Sequence, residues 1–172
     1  MARQKINLEF SEFLDTLTFD DKCHHKAEVL LLSCIDFRFF NLVQKYIDDR
    51  GLSDKFDHVI LAGAELGAVV DFPPEPKLHW QQFFLEHLAL SKQLHCIDRL
   101  VVLGHRNCGA YEKFKLLPEN PDRDEERRVH AAQAERLQAL VGRFYPGLPV
   151  EVGLLTREKP ADVDLLMLER LL

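Results

Sequence analysis

The chain has 172 residues, 47% of them hydrophobic and 29% charged, with a formal net charge of −6. That is enough for one globular domain with a core, and the acidic balance argues against a nucleic-acid or anionic-membrane surface. No apolar run is long enough to span a bilayer, and Glu9, Glu12 and Asp15 interrupt the N-terminal stretch, so it does not read as a secretory leader. Without an export signal, Cys23, Cys34, Cys96 and Cys108 favour metal or catalytic use over a disulfide framework, and the cytoplasm is the expected compartment.

In chain order, Leu8, Phe10, Phe13, Leu14 and Leu17 predict an amphipathic helix over residues 6–18. Val29–Ser33 is a short apolar run with Cys34 at its end. Phe39–Asp49 reads as a helix stopped at Gly51. His58–Ala62 is a second apolar run, followed by a small-residue loop, Gly63-Ala64-Glu65-Leu66-Gly67, whose spacing is wrong for a dinucleotide fingerprint. Phe72-Pro73-Pro74-Glu75-Pro76 is a rigid connector. Leu78–Leu94 reads as a long helix, Leu100–Leu103 as a third strand, and Asn107–Leu117 as the start of another helix. After the break at Pro118–Pro121, Asp124–Phe144 is a charged helix on which Arg123, Arg127, Arg128 and Arg136 alternate with acids as a solvated face. Val150–Leu155 is a fourth strand candidate, and the apolar tail through Leu172 needs a cover. Strands that alternate with helices and are apolar throughout predict an α/β fold, a mostly parallel β-sheet flanked by helices. Residues 1–172 read as one such domain with an N-terminal helical segment.

Two clusters carry chemistry: Cys34-Ile35-Asp36-Phe37-Arg38 and His105-Arg106-Asn107-Cys108. Each follows an apolar strand, the first and the third, where ligands gather at the carboxyl ends of a parallel sheet. Singly, a Cys, a His or an Asp/Arg pair is ordinary packing or a weak ion pair. Jointly, two Cys and one His are a ligand set for a catalytic zinc that keeps a position open.

The pattern Cys34-x-Asp36-x-Arg38, then His105-x-x-Cys108-Gly109, resembles the beta-class carbonic anhydrases, as does Val101-Val102-Leu103-Gly104-His105, over roughly Val29 to Ala110. The resemblance implies that Cys34, His105 and Cys108 ligate Zn2+, with water or, in a closed form, Asp36 as the fourth ligand. Arg38 would hold Asp36 off the metal. The implied activity is reversible hydration of carbon dioxide to bicarbonate, in a homodimer or higher homo-oligomer, with neither a nucleic-acid nor a membrane partner. Ile35 and Phe37 stand where members commonly have Ser, and Phe37 adds bulk beside the site or faces the core. Ile60-Leu61-Ala62-Gly63 keeps only the last two residues of an Arg-Asn-Ala-Gly-type loop. His25 falls near the position of a bicarbonate-holding Gln. These departures admit carbonyl sulfide or carbon disulfide as substrate, or a non-catalytic zinc-binding relative; a metal-free cysteine protein is a further alternative.

Among the remaining features, Cys23-His24-His25 reads as surface or loop and Cys96 as a buried packing residue. His58 and His79 have no identifiable partner. The apolar ends of the chain serve either as dimer surface or as closure of the monomer core.

Overall fold

Val29, Leu30, Leu31 and Leu32 are all buried, because their strand is covered by helices on both faces. In the computed structural model, which describes residues 12–14, 16, 23, 25–70, 78–158 and 165–172, this strand, β1 (Val29–Cys34), lies inside a five-stranded sheet. A 3-10 turn (Phe37–Phe39) and α1 (Phe40–Asp49) follow it, then β2 (Phe56–Leu61), α2 (Glu65–Val69), α3 (Leu78–His95) and β3 (Arg99–His105). The chain continues through α4 (Gly109–Lys113), α5 (Arg123–Phe144), β4 (Val150–Glu158) and β5 (Leu165–Arg170). The strand order is β2-β1-β3-β4-β5; the first four run parallel, and β5 is antiparallel to β4.

Side chains alternate across the sheet as a period of two requires. Leu30, Leu32, Leu100, Val102 and Val152 face α3 and α5, where they meet Phe84, Leu85, Leu88, Leu137 and Val141. Val29, Leu31, Val101 and Leu103 face α1, where they meet Leu42, Val43, Tyr46 and Ile47. The predicted mostly parallel α/β sheet is therefore the fold observed.

Several local expectations change. The tail, for which the sequence indicated only that it needs a cover, is a strand: β5 pairs with β4 from Gly153↔Arg170 to Glu158↔Leu165, and Leu171 and Leu172 pack onto the α3/α5 core. The loop expected at residues 63–67 turns at Gly63 and Ala64, both at positive φ, and then becomes α2. The helix expected over Asn107–Leu117 shrinks to α4. Cys96 is not a packing residue. It sits at φ +50° between α3 and β3 and is disulfide-bonded to Cys23, with the Cα atoms 6.0 Å apart, against the expectation of no disulfide. His58 has a partner: its Nε2 lies 2.7 Å from the Ser33 hydroxyl. His79 meets the Trp80 ring edge to face. Of the N-terminal helix, Glu12, Phe13, Leu14 and Thr16 are helical, and Phe13 and Leu14 pack against the same core. The rest of that helix, His24 and the connector at 72–76 lie outside the described residues. Among the described residues, no helix is long and apolar enough to cross a membrane.

The long helix α5 starts at a side-chain cap. Asp122 accepts hydrogen bonds from the backbone N–H groups of Asp124 and Glu125 at 3.1 and 3.3 Å. Replacing Asp122 by Ala is expected to lower unfolding free energy by about 1 kcal/mol, with Asn restoring most of it. A urea midpoint unchanged in Asp122→Ala would contradict this.

Candidate metal centre

Parallel pairing of β1 with β3 sets Ser33 opposite Leu103, so both strands end at the same edge of the sheet. Cys34 is the last residue of β1 and His105 the last of β3; the chain then turns through Asn107, at φ +54°, and delivers Cys108 just before α4. One ligand atom each from Cys34, His105 and Cys108 lie within 4.8 Å of one another. The two sulfurs are 3.8 Å apart. A tetrahedral zinc with Zn–S bonds of ~2.3 Å sets its sulfurs roughly 3.8 Å apart, so the pair already has the required spacing.

The imidazole is held in place as well. Its Nδ1–H donates to the Arg106 carbonyl at 3.0 Å, and Phe39 stacks on the ring with centroids 4.1 Å apart. That bond fixes the tautomer and leaves Nε2 as the acceptor. Nε2 is buried and has no hydrogen-bond partner, an orphan that a metal ion would satisfy. The group can therefore hold a metal, and its donor set suits zinc.

Charge follows from the same contacts. Left to themselves, the two sulfurs share a proton. The hydrogen bond with Cys108 brings Cys34 down to about 4 against the opposing effect of burial, and His105 and the Gly63 N–H, 3.3 Å from the sulfur, add to the lowering. Cys108 is pushed up by that same bond and by burial. A bound divalent cation reverses this and favours both thiolates. Burial opposes the charged form of His105, but Cys34, the Arg106 carbonyl and Asp36 together raise it. Asp36 accepts from Arg38 Nε at 2.9 and 3.1 Å, from Arg38 Nη2, and from the Arg38 backbone N–H at 3.0 Å. These bonds hold its carboxyl below the ordinary range, with Arg38 the principal cause. Asp36 Oδ2 is 3.6 Å from His105 Nε2, and Arg38 also donates to the Asn107 carbonyl at 3.3 Å.

Beneath the group lies a polar cluster that sequence reading did not find. Glu65, on α2, is fully buried; its Oε1 accepts from Tyr111 at 2.7 Å and lies 2.6 Å from Nδ1 of the fully buried His130. Burial, and then the Glu65 charge, push Tyr111 well above its usual range, so it stays a donor. A Cβ at Gly104 would stand 2.8 Å from the Glu65 carboxylate, so only glycine admits this approach. Gly63 is similarly constrained, at φ +78° with Leu66 and Ala110 against it. On the other side of the turn, buried Arg106 donates to Glu126 at 3.0 Å, to the Arg123 carbonyl at 2.9 Å and to Glu169 at 2.6 Å, while Glu126 accepts from the Asn107 N–H.

The structure thus brings Cys34, Asp36, Arg38, His105 and Cys108 together and leaves other residues out. His25 is exposed ahead of β1, at the end away from Cys34, and a six-residue strand is about 17 Å long. Phe37 does not face the core; it is 86% exposed, and its neighbour Phe39 turns inward instead. The Ile60–Gly63 loop reaches the site through a backbone N–H, that of Gly63, rather than a side chain.

No known protein-family profile matches the chain. An uncharacterized protein of Rickettsia bellii is 31% identical over 129 residues, covering 75% of this chain and 76% of that protein. An uncharacterized protein of Rickettsia conorii is 31% identical over 129 residues, covering 75% of this chain and 67% of that one. The chain belongs to the family of these two rickettsial proteins. Among solved structures it is similar to the beta-carbonic anhydrase CafA of Aspergillus fumigatus, with a TM-score of 0.46, 14% identity, and coverage of 90% of this chain and 81% of that one. It is also similar to a structure from work on two tetrameric beta-carbonic anhydrases of Sordaria macrospora, with a TM-score of 0.42, 13% identity, and coverage of 90% and 84%.

Removing one member of the buried cluster leaves the others unsatisfied away from water. Glu65→Ala is expected to lower unfolding free energy by about 3–5 kcal/mol. A loss below about 1 kcal/mol in urea unfolding, the size of one ordinary hydrogen bond, would show that the cluster is not holding α2 and α5 together.

Proposed function

We propose that this protein is a zinc enzyme that reversibly hydrates carbon dioxide to bicarbonate. In this reading Cys34, His105 and Cys108 are the metal ligands, and Asp36 and Arg38 serve the open position. The observation that carries it is the buried, partnerless His105 Nε2, within reach of both sulfurs and 3.6 Å from the Asp36 carboxylate. When bound, zinc at such a site makes water available as a nucleophile near neutral pH.

The chain's own residues do the rest. Arg38 occupies both Asp36 oxygens and is tied to the His105–Cys108 turn through the Asn107 carbonyl. Asp36 is thereby kept ionised, off the metal, and able to accept a hydrogen bond from the attacking nucleophile. The Gly63 N–H steadies the Cys34 sulfur. Exposed Ile35, Phe37 and Phe40, on the segment that leaves β1, support a homodimer with this mouth near the interface.

Stopped-flow carbon dioxide hydration, with zinc assayed in the same sample, tests the reading. Near one zinc per chain is expected. Two thiolates leave the site less positive than three imidazoles would, so turnover should rise from neutral to alkaline pH. A flat profile counts against the site as drawn. Zinc without turnover at any pH refutes carbon dioxide hydration and leaves carbonyl sulfide or carbon disulfide hydrolysis, or a silent relative. Arg38→Ala should free Asp36 to bind the metal and cost about a hundredfold in turnover with zinc retained; full activity would remove the pair from the mechanism. Phe37→Asp should lower the mass seen by light scattering from dimer to monomer, and a monomeric parent protein would dispose of the dimer.

A further inference from the structure

Three separate paths lead from the Cys34, His105 and Cys108 group to a single side chain, that of Glu65. The first starts at Cys34. The Gly63 N–H lies 3.3 Å from its sulfur, and Gly63 stands two residues before Glu65. Gly63 and Ala64 turn at φ +78° and +48°, so the sulfur contact and the start of α2 belong to one tight turn. The second path starts at His105. Its neighbour Gly104 lies so close to the Glu65 carboxylate that a Cβ there would stand 2.8 and 2.9 Å from the two oxygens. The third starts at Cys108. Its carbonyl accepts from the Tyr111 N–H at 3.0 Å, and the Tyr111 hydroxyl donates to Glu65 Oε1 at 2.7 Å. His130 completes the cluster. Its Nδ1 lies 2.6 Å from the same oxygen, and its ring lies on that of Tyr111 with centroids 3.9 Å apart.

Glu65, Tyr111 and His130 are all fully buried, so water offers their polar atoms no substitute partner. Cys108 and Tyr111 share one apolar cluster with Leu66 and Val70, and Cys34 packs against it. The arrangement is not the one that stability alone would select. Glu65 Oε2 and His130 Nε2 are buried without a hydrogen-bond partner, a penalty that apolar side chains of the same volume would not incur.

The geometry points to Glu65 as a positioning residue: with Tyr111 and His130 it sets the separations of the two sulfurs and the His105 ring that a tetrahedral cation requires. It acts through Gly63, Gly104 and Tyr111 rather than on a reacting atom. As a statement about zinc this rests on the function proposed above. As a statement about the spacing of three side chains it stands without a metal.

The test separates spacing from stability. Zinc affinity is measured by chelator competition on the full chain with its Cys23–Cys96 disulfide intact, and the metal-free protein is then treated with phenylarsine oxide. That reagent bridges two neighbouring thiols: two As–S bonds form, and its oxygen leaves with the two thiol protons as water. Glu65→Ala is expected to lose about 10–100-fold in zinc affinity and about tenfold in the rate of arsenical capture. Because that variant also loses stability, Tyr111→Phe, which removes only the hydroxyl, is measured beside it and should lose about tenfold in affinity. Glu65→Gln keeps an acceptor for Tyr111 and His130 and should return both readouts to within about threefold of the parent. Leu137→Ala, in the separate α3/α5 core, lowers the urea midpoint and should leave both readouts unchanged. Unchanged zinc affinity and capture in folded Tyr111→Phe and Glu65→Ala would overturn the proposal. So would an equal loss in Leu137→Ala, or a loss in Glu65→Gln as deep as in Glu65→Ala. A parent chain that takes up no zinc refutes the zinc enzyme, and arsenical capture alone then decides this inference.

Discussion

Everything at the candidate centre depends on the parallel pairing of β1 with β3. Cys34 and His105 are 71 positions apart in sequence, and only this pairing ends both strands at one edge. A slip of one residue would turn Cys34 to the opposite face of the sheet. Hydrophobicity alone does not prevent that slip, since both faces of β1 and β3 are apolar and buried. What distinguishes one register from its neighbours is a polar contact. The Glu65 carboxylate lies against Gly104, where any Cβ would collide with it, so a register that put Leu103 or His105 there would expel a buried charge. The glycine before His105 therefore helps position the imidazole beside it.

Helix α5 extends the same constraint to the turn that carries Cys108. Glu126 and His130 are one turn apart and share a face. Glu126 accepts from the Asn107 N–H and pairs with Arg106, while His130 pairs with Glu65, which in turn receives Tyr111 of α4. The His105–Cys108 turn is thus gripped from both sides by one helix. Burying this many ionisable groups opposes folding, because desolvation of a buried pair rivals its attraction. An apolar core would serve stability as well. It would not hold two sulfurs and a ring nitrogen at fixed separations, as a preorganised site requires.

Much of this was legible in the sequence, for identifiable reasons. Short apolar runs ending in Cys34 and His105 mark buried parallel strands and place these two residues at the carboxyl edge by topology alone. The contact between Asp36 and Arg38, which the resemblance to beta-class carbonic anhydrases implied, is present. Glu65 was not legible: it sits among small and apolar residues that read as a loop, and nothing local announces that Tyr111 and His130, far along the chain, will bury it. Arg106 was passed over because its partners Glu126 and Glu169 come from two later elements. β5 was missed because its apolar residues do not alternate, the usual sign of a half-buried strand. Phe37 and Phe39 show the limit of reading by alternation. Once the chain enters the 3-10 turn, residues two apart no longer share a face, and the inward ring is Phe39.

Arg38 and Arg106 flank the same turn under opposite conditions, and that contrast explains how one edge can be both rigid and responsive. Arg106 is buried and bonded to three groups on two elements, α5 and β5, so its position belongs to the fold. The Arg38 side chain is 43% exposed and engages Asp36 from a three-residue turn. Breaking an exposed pair costs little, since solvent replaces much of what is lost. Asp36 can therefore move relative to the Cys34, His105 and Cys108 group while His105 and Cys108 stay in place. His105 and Cys108 rest on buried polar contacts and the acidic residue on a solvated one, so the adjustable part of the site is confined to the group whose proposed role requires adjustment.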